Sequence, residues 1–469
     1  MKTDDIVSAQ KINSILADAA NPSEEEAIKI VRRARHEKKG LAPAEVALLS
    51  NASGERFEKE LFDAASSVKS EIYGERLVFF APLYISDVCV NDCEYCSFHA
   101  RNSATPRCSL AMHEIKKQTE VIIGMGHKRI LLECGESPLT PIDYVVEAIK
   151  NIYSVSTPKG SIRRLNVNVP ATTTENYRRL KAAGIGTYQL FQETYHPETY
   201  SRVHPRGPKS DYERQITAHM RAFEAGIDDV GMGVLFGLYD WRFEITALVL
   251  HASYLEFRYG VGPHTISVPR WRPAGGVDYK PSYPVSDEDF LKIIAILRLA
   301  VPYTGMIIST RERPELRNIS FKIGISQASA ASVTSVGGYK SENISERKNR
   351  VADGQFLISD ERPLEDVIEA ALADGLIPSF CTACYRRGRT GEKFMEIARP
   401  AEIHNFCRPN GILTFAEYLE DFASDNEELR SKGWAVIEKL LDSIDDAAIR
   451  AKTRNMLAVI KKGGRDIFF

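Results

Sequence analysis

Leu77-Val-Phe-Phe-Ala-Pro-Leu-Tyr-Ile85, followed almost at once by Asp87-Val-Cys-Val-Asn-Asp-Cys-Glu-Tyr-Cys-Ser-Phe98, decides how this chain is read. The first stretch is an unbroken apolar run of strand length, as in a strand buried on both faces of a parallel sheet. The second carries Cys89, Cys93 and Cys96 as C-x3-C-x2-C. Three thiolates at that spacing hold three irons of a four-iron, four-sulfur cluster on one short loop, and the fourth iron, without a protein ligand, stays open for chemistry. A zinc loop or plain buried thiols are the competing readings, although zinc sites more often use two separated cysteine pairs.

Outward from this loop, apolar runs at 77–85, 129–133, 165–169, 187–191, 230–235, 265–268, 306–309 and 331–336 alternate with amphipathic stretches such as 144–154, 174–183, 212–225 and 287–300. Several of the latter end in Gly or Pro, as helices do. Eight strand–helix units predict an α/β protein, a closed (β/α)8 TIM-type barrel over 76–340. Residues 1–75 read as a helical segment: Ser23 and Glu26 form a capping pattern before Ala27, Ile30, Val31 and Ala34, and Phe57, Leu61, Phe62, Ala65, Val68 and Ile72 recur at helical spacing. The polar run 340–350 reads as a linker to a mainly helical C-terminal domain, 341–469.

Composition narrows the class. The chain has 469 residues, 43% apolar and 26% charged, with a formal charge of −2, enough to bury a large core and with no field for nucleic acid. Clusters such as Arg32, Arg33 and Arg35 read as solvated helix faces. No signal-peptide pattern and no apolar run of membrane length is present, so a cytoplasmic protein without membrane or nucleic-acid partners is expected. Of eight cysteines, six fall in two tight triplets, which points to metal rather than disulfides. Cys108 and Cys134 read as lone thiols.

Loops after strands form the catalytic face of such barrels. Besides the first triplet, Cys134-Gly135-Glu136 follows strand two, Gln192-Glu193 ends strand four and Arg311 follows strand seven. A carboxylate and a guanidinium on that face suit an amino-acid ligand, because Arg makes paired bonds to a carboxylate; structural ion pairs are the alternative. The second triplet, Cys381-Thr-Ala-Cys384 and then Cys407, is C-x2-C-x22-C. With His404 it fits a Cys3His zinc site as well as a cluster. His264 lies just before strand six, at the mouth opposite the first triplet.

The first cysteine loop with Tyr95 resembles the signature of the radical S-adenosylmethionine (SAM) superfamily. The second, within Cys384-Tyr-Arg-Arg-Gly-Arg-Thr-Gly391 and Ile403-His-Asn-Phe-Cys407, resembles the auxiliary-cluster motif of the HydG family of tyrosine lyases, which mature di-iron hydrogenases. The similarity runs almost end to end, through Phe80-Ala-Pro-Leu-Tyr84, Gly160-Ser-Ile-Arg-Arg-Leu-Asn-Val-Asn168, Phe191-Gln-Glu-Thr-Tyr-His196, Gly262-Pro-His-Thr-Ile-Ser-Val-Pro-Arg270, Ser309-Thr-Arg-Glu312 and Arg465-Asp-Ile-Phe-Phe469.

This resemblance implies a radical SAM carbon–carbon lyase. Cys89, Cys93 and Cys96 would hold the SAM-binding cluster, Gly135 and Glu136 would meet the methionine end of SAM, and Tyr95 would lie against its adenine. Cys381, Cys384 and Cys407 would hold an auxiliary cluster, and His264 an additional iron bearing L-cysteine. L-tyrosine would lose hydrogen from its amine and split at Cα–Cβ into p-cresol and dehydroglycine. The latter would yield carbon monoxide and cyanide for an iron carbonyl cyanide precursor of the hydrogenase. Arg311 and Glu193 are the expected catalytic-face residues, Arg311 for the tyrosine carboxylate. A ferredoxin or flavodoxin donor and other maturation proteins are the implied partners. An internal passage lined by small residues, Ala330, Ala331, Ser332 and Ser335 among them, is expected to join the stations.

Ser97-Phe98, Cys134-Gly135-Glu136 and Val333-Thr334-Ser335 depart from the Gly-Tyr, Ala-Gly-Glu and Cys-Thr-Gly expected in the family, and leave a paralogue with altered chemistry open. A 2-iminoacetate synthase lacks the second cysteine motif, and a non-catalytic iron–sulfur or zinc scaffold has no use for a SAM site.

Overall fold

A computed structural model describes residues 3–340 and 353–469. Eight parallel strands close into a barrel: β1 (Arg76–Ser86), β2 (Arg129–Cys134), β3 (Arg164–Asn168), β4 (Tyr188–Gln189), β5 (Val230–Gly233), β6 (Thr265–Ser267), β7 (Gly305–Ile308) and β8 (Gln327–Ser329), with β8 pairing back onto β1. Along β1 every residue is buried. Alternation divides them: Leu77, Phe79, Ala81, Leu83 and Ile85 join the core beneath the helices, whereas Arg76, Val78, Phe80, Pro82 and Tyr84 line interior cavities.

The eighth strand differs from its expected place. It is Gln327–Ser329, in register with Val78–Phe80, and not 331–336. Ala331 adopts φ +49°, which turns the chain out of the extended conformation before the apolar run begins. The helical stretch 212–225 breaks at Thr217 into two short helices.

The N-terminal helices Glu24–Glu37 and Glu55–Tyr73 are as expected, with Ser23 capping the first through Glu26 N at 3.2 Å, although Ile28 rather than Ile30 is buried. Phe57, Leu61, Ala65, Val68 and Ile72 face inward, and Glu55–Tyr73 packs on the barrel helix Asp287–Ala300. The expected linker 340–350 lies, but for its first residue, outside the described residues.

Beyond it a ninth strand, β9 (Ile377–Ser379), pairs in parallel with Arg76–Val78, while β2 pairs with the later part of the same strand, Ala81–Ser86. The C-terminal helices, of which His404–Phe422 packs on β9 and β1, are thereby fastened to the barrel through its own sheet.

Candidate active site and second cysteine centre

The eight barrel strands run in parallel toward the first cysteine loop, which follows β1. Gly135 N donates to Ser86 O at 3.0 Å and Val90 N to Glu136 O at 2.7 Å, so the cysteine loop and the turn after β2 are knitted together by backbone. A Cβ on Gly135 would stand 2.5 Å from Val88 O and 3.3 Å from Cys89 Cβ, which is why glycine is needed there. Asn91 Nδ2 donates to Glu136 Oε2 at 2.7 Å, and Arg214 holds Oε1 at 2.6 Å.

Cys89, Cys93, Cys96, Tyr95, Cys134, Gly135, Glu136, Glu193 and Lys209 line one cavity of about 740 Å³. Tyr95 is buried, its hydroxyl 2.8 Å from His204 Nε2. Glu193, at φ +68°, accepts from Lys209 Nζ at 2.7 Å, and the same ammonium lies 5.9 Å from the Tyr95 ring centroid. Cys134, expected as a lone thiol, opens into this cavity.

A second cavity, about 600 Å³, lies deeper in the barrel and shares Tyr84, Glu133, Asn168, Phe191 and Gln355 with the first. Arg311 lines it. Its guanidinium stacks on Phe356, 3.3 Å from the ring centroid, and no carboxylate among the described residues pairs with it. Burial lowers its pKa, against the pull of Tyr84 and Glu193. Glu133 is the sole acid among the described lining residues; burial pushes it up to about 8, and a hydrogen bond with Asn168 works the other way.

At the opposite mouth Cys381, Cys384, Cys407 and His264 line a third cavity with Arg76, Arg129 and Arg164. Cys381 follows β9 by two residues, and Ala383 N donates to its Sγ at 3.4 Å. Burial holds His264 down at about 4; its Nδ1 is 3.6 Å from Asp229 Oδ2, and its ring packs on Phe394 at 4.2 Å. His404 does not line this cavity. Its Nδ1 is 2.6 Å from the Ala401 carbonyl oxygen, so the Cys3His set expected of a zinc site is not assembled.

The donor sets fit iron–sulfur clusters. Burial pushes Cys96 to about 11 and Cys93 higher, and Cys407 to about 12, so these thiols become anions only beside a strong cation, which iron supplies. Arg76, Arg129 and Arg164 line this cavity, where no carboxylate does among the described residues, and of the three Arg164 pairs with Asp229; the positive charge suits an anionic thiolate–sulfide cluster.

The two inner cavities share no lining residue. Val78, Gln189, Thr265 and Gln327 stand between them, and Gln189 and Gln327 occupy the room left by Gly231 and Gly305, where a Cβ would meet them at 2.7 and 2.3 Å. A passage lined by small residues is therefore not what fills the barrel. Of Ala330, Ala331, Ser332 and Ser335, only Ser332 reaches the upper cavity. Lys209, Glu133 and the three arginines escaped sequence reading because charged residues inside a barrel look like surface residues in a string of letters.

Residues 83–249 match the Radical SAM superfamily and residues 267–377 the Biotin and Thiamin Synthesis associated domain. Together with the barrel and its cysteine loop they define a radical SAM enzyme, which uses a four-iron, four-sulfur cluster and SAM. The chain is 32% identical to the 2-iminoacetate synthase of Escherichia coli (strain K12) over 339 residues, 71% of this chain and 85% of that one. A crystal structure of HydG, a maturase of the FeFe-hydrogenase, superposes with TM-score 0.94 at 47% identity, covering 99% of this chain and all of its own. HydG from Carboxydothermus hydrogenoformans gives 0.85 at 39% identity, covering 97% and 100%. The chain belongs to the HydG family. No helix among the described residues is long and apolar enough to cross a membrane.

Proposed function

We propose that this protein cleaves L-tyrosine at Cα–Cβ into p-cresol and dehydroglycine, and converts the latter to carbon monoxide and cyanide for an iron carbonyl cyanide hydrogenase precursor. The observation that carries this reading is the pair of cysteine triads at opposite mouths of one barrel, with an amino-acid-sized cavity beside the first. Cys89, Cys93 and Cys96 hold the first cluster, and Gly135, Glu136 and Tyr95 form the SAM cradle, with the Glu193–Lys209 pair closing its wall. When bound, cluster and SAM supply a 5′-deoxyadenosyl radical.

The chain itself orients and shields. Arg311 takes the substrate carboxylate by its free N–H edge while its face stays on Phe356. Phe80, Leu131 and Phe191 give the cavity apolar walls, against which an aromatic ring loses its water. At the far mouth Cys381, Cys384 and Cys407 hold an auxiliary cluster, and His264 a further iron carrying L-cysteine, as cargo. The three-domain division at 75 and 340 and service by a ferredoxin- or flavodoxin-type donor belong to this reading.

Anaerobic incubation of the reconstituted protein with SAM, reductant and tyrosine tests it. p-Cresol with carbon monoxide is expected; p-cresol alone marks a 2-iminoacetate synthase-type lyase, and neither product a scaffold. Metal analysis is expected to give about eight or nine irons per chain, whereas about four irons and one zinc would refute the auxiliary assignment.

A further inference from the structure

Arg311 answers only one end of a zwitterion. The other charged wall residue of its cavity is Glu133, the last inward-facing position of β2, buried and without an ion-pair partner among the described residues. The other acids lining the neighbouring cavity are already held, Glu193 by Lys209 at 2.7 Å and Glu136 by Arg214 at 2.6 Å. Glu133 also lines the SAM cavity, so its carboxyl stands at the junction where a substrate atom is brought to the radical source. With the substrate carboxylate on Arg311 and its reacting nitrogen at the junction, the α-ammonium lies beside Glu133.

We infer that the Glu133 carboxylate accepts the proton of the substrate α-ammonium, leaving the neutral amine from which hydrogen is then taken. This rests on the tyrosine reading above. The step is balanced: one N–H bond breaks heterolytically, its electron pair stays on nitrogen, and the proton forms an O–H bond on Glu133. An ordinary carboxylate is a poor acceptor from an ammonium. Burial brings Glu133 to about 8, far above an ordinary carboxylate and within about a unit of the ammonium of a free amino acid, so the transfer is only slightly uphill. Asn168 holds the carboxyl by hydrogen bond. Among the described residues, the charged and titratable groups around it are Arg311 on the loop after β7, Tyr84 on β1, Cys134 next to it on β2, and Glu193 and Lys209 beyond β4; the last two neutralise each other.

The test compares wild type, Glu133→Gln and Glu133→Asp, all reconstituted anaerobically. Glu133→Gln is expected to bind SAM as wild type does, while kcat for p-cresol, and with it tyrosine-dependent 5′-deoxyadenosine, falls at least ~100-fold and KM changes less than about threefold. Wild-type kcat/KM is expected to rise with pH and level near 8. The Gln variant, whose substrate must lose its proton to water, keeps rising about tenfold per pH unit past 8, until the ammonium of the free amino acid itself titrates about a unit higher. Glu133→Asp is expected to recover at least tenfold over Gln. A Gln variant within threefold of wild type and with its pH profile overturns the inference, and so does joint loss of SAM binding, which would make Glu133 a structural residue. Wild type that yields no p-cresol overturns the tyrosine reading instead.

Discussion

Replacing Arg311 by methionine keeps an unbranched side chain over Phe356 and removes the guanidinium. In the unliganded protein that guanidinium touches a ring by its face, leaves its N–H edge toward the cavity, and has no carboxylate partner among the described residues. Two charge-assisted hydrogen bonds to a substrate carboxylate are worth about 1.5–3 kcal/mol each, together about 3–6 kcal/mol. At about 1.4 kcal/mol per decade this is roughly 10²- to 10⁴-fold in affinity. The assay is a binding comparison of tyrosine with tyramine, which lacks only the carboxylate. Wild type is expected to prefer tyrosine by at least ~100-fold, and Arg311→Met to hold the two within about threefold. Burial depresses the Arg311 pKa, so loss of the charge relieves the unliganded fold and leaves the thermal midpoint unchanged or raised. A variant that still prefers tyrosine by the wild-type ratio would refute the assignment of this arginine to the carboxylate.

Gly135→Ala places a methyl 2.5 Å from Val88 O, and is expected to lose the first cluster's absorbance and SAM binding while the circular dichroism of the barrel persists. Cys381→Ala is expected to lower iron to about four per chain and to separate the products, with p-cresol retained and carbon monoxide lost. Glu244 is buried, accepts from Tyr195 N at 2.8 Å and from Thr194, and is pushed by burial up to about 8. Its folded pKa lies above the unfolded value, so its contribution to stability is complete below about pH 4.5 and is lost as pH rises through 8. Urea unfolding of Glu244→Gln against wild type should therefore favour the variant increasingly over that window, by a few kcal/mol on the order of the shift; a pH-independent difference would contradict this.

What was legible in the sequence follows from the physics of each signal. Strands β1 to β7 showed as apolar runs because a parallel sheet covered by helices buries both strand faces. β8 did not, because Gln327 and Ser329 turn toward a polar barrel interior and the adjacent run Ala331 to Val336 has the stronger strand composition. Cysteine spacing disclosed both triads, since ligands on one short loop must be close in sequence. Residues gathered across strands leave no such trace: Glu133 and Arg311 on one cavity wall, Lys209 paired with Glu193, and Arg76 and Cys407 on another wall come from distant segments. His404 shows the converse, a residue three positions from a ligand whose side chain bonds to its own helix turn instead.

β1 is the common spine of both reaction stations. Val78 pairs with Ser379 two residues before Cys381, and Ser86 pairs with Cys134 three residues before Cys89. The eight residue steps from Val78 to Ser86 span about 26 Å at ~3.3 Å each. A single piece of extended backbone thus acts as a ruler between the two metal centres, and neither can drift relative to the other without tearing the sheet. Adding or deleting two residues in that span would preserve which side chains face inward yet move the stations by about 7 Å. Any fragment handed from one to the other travels a distance written into the covalent chain.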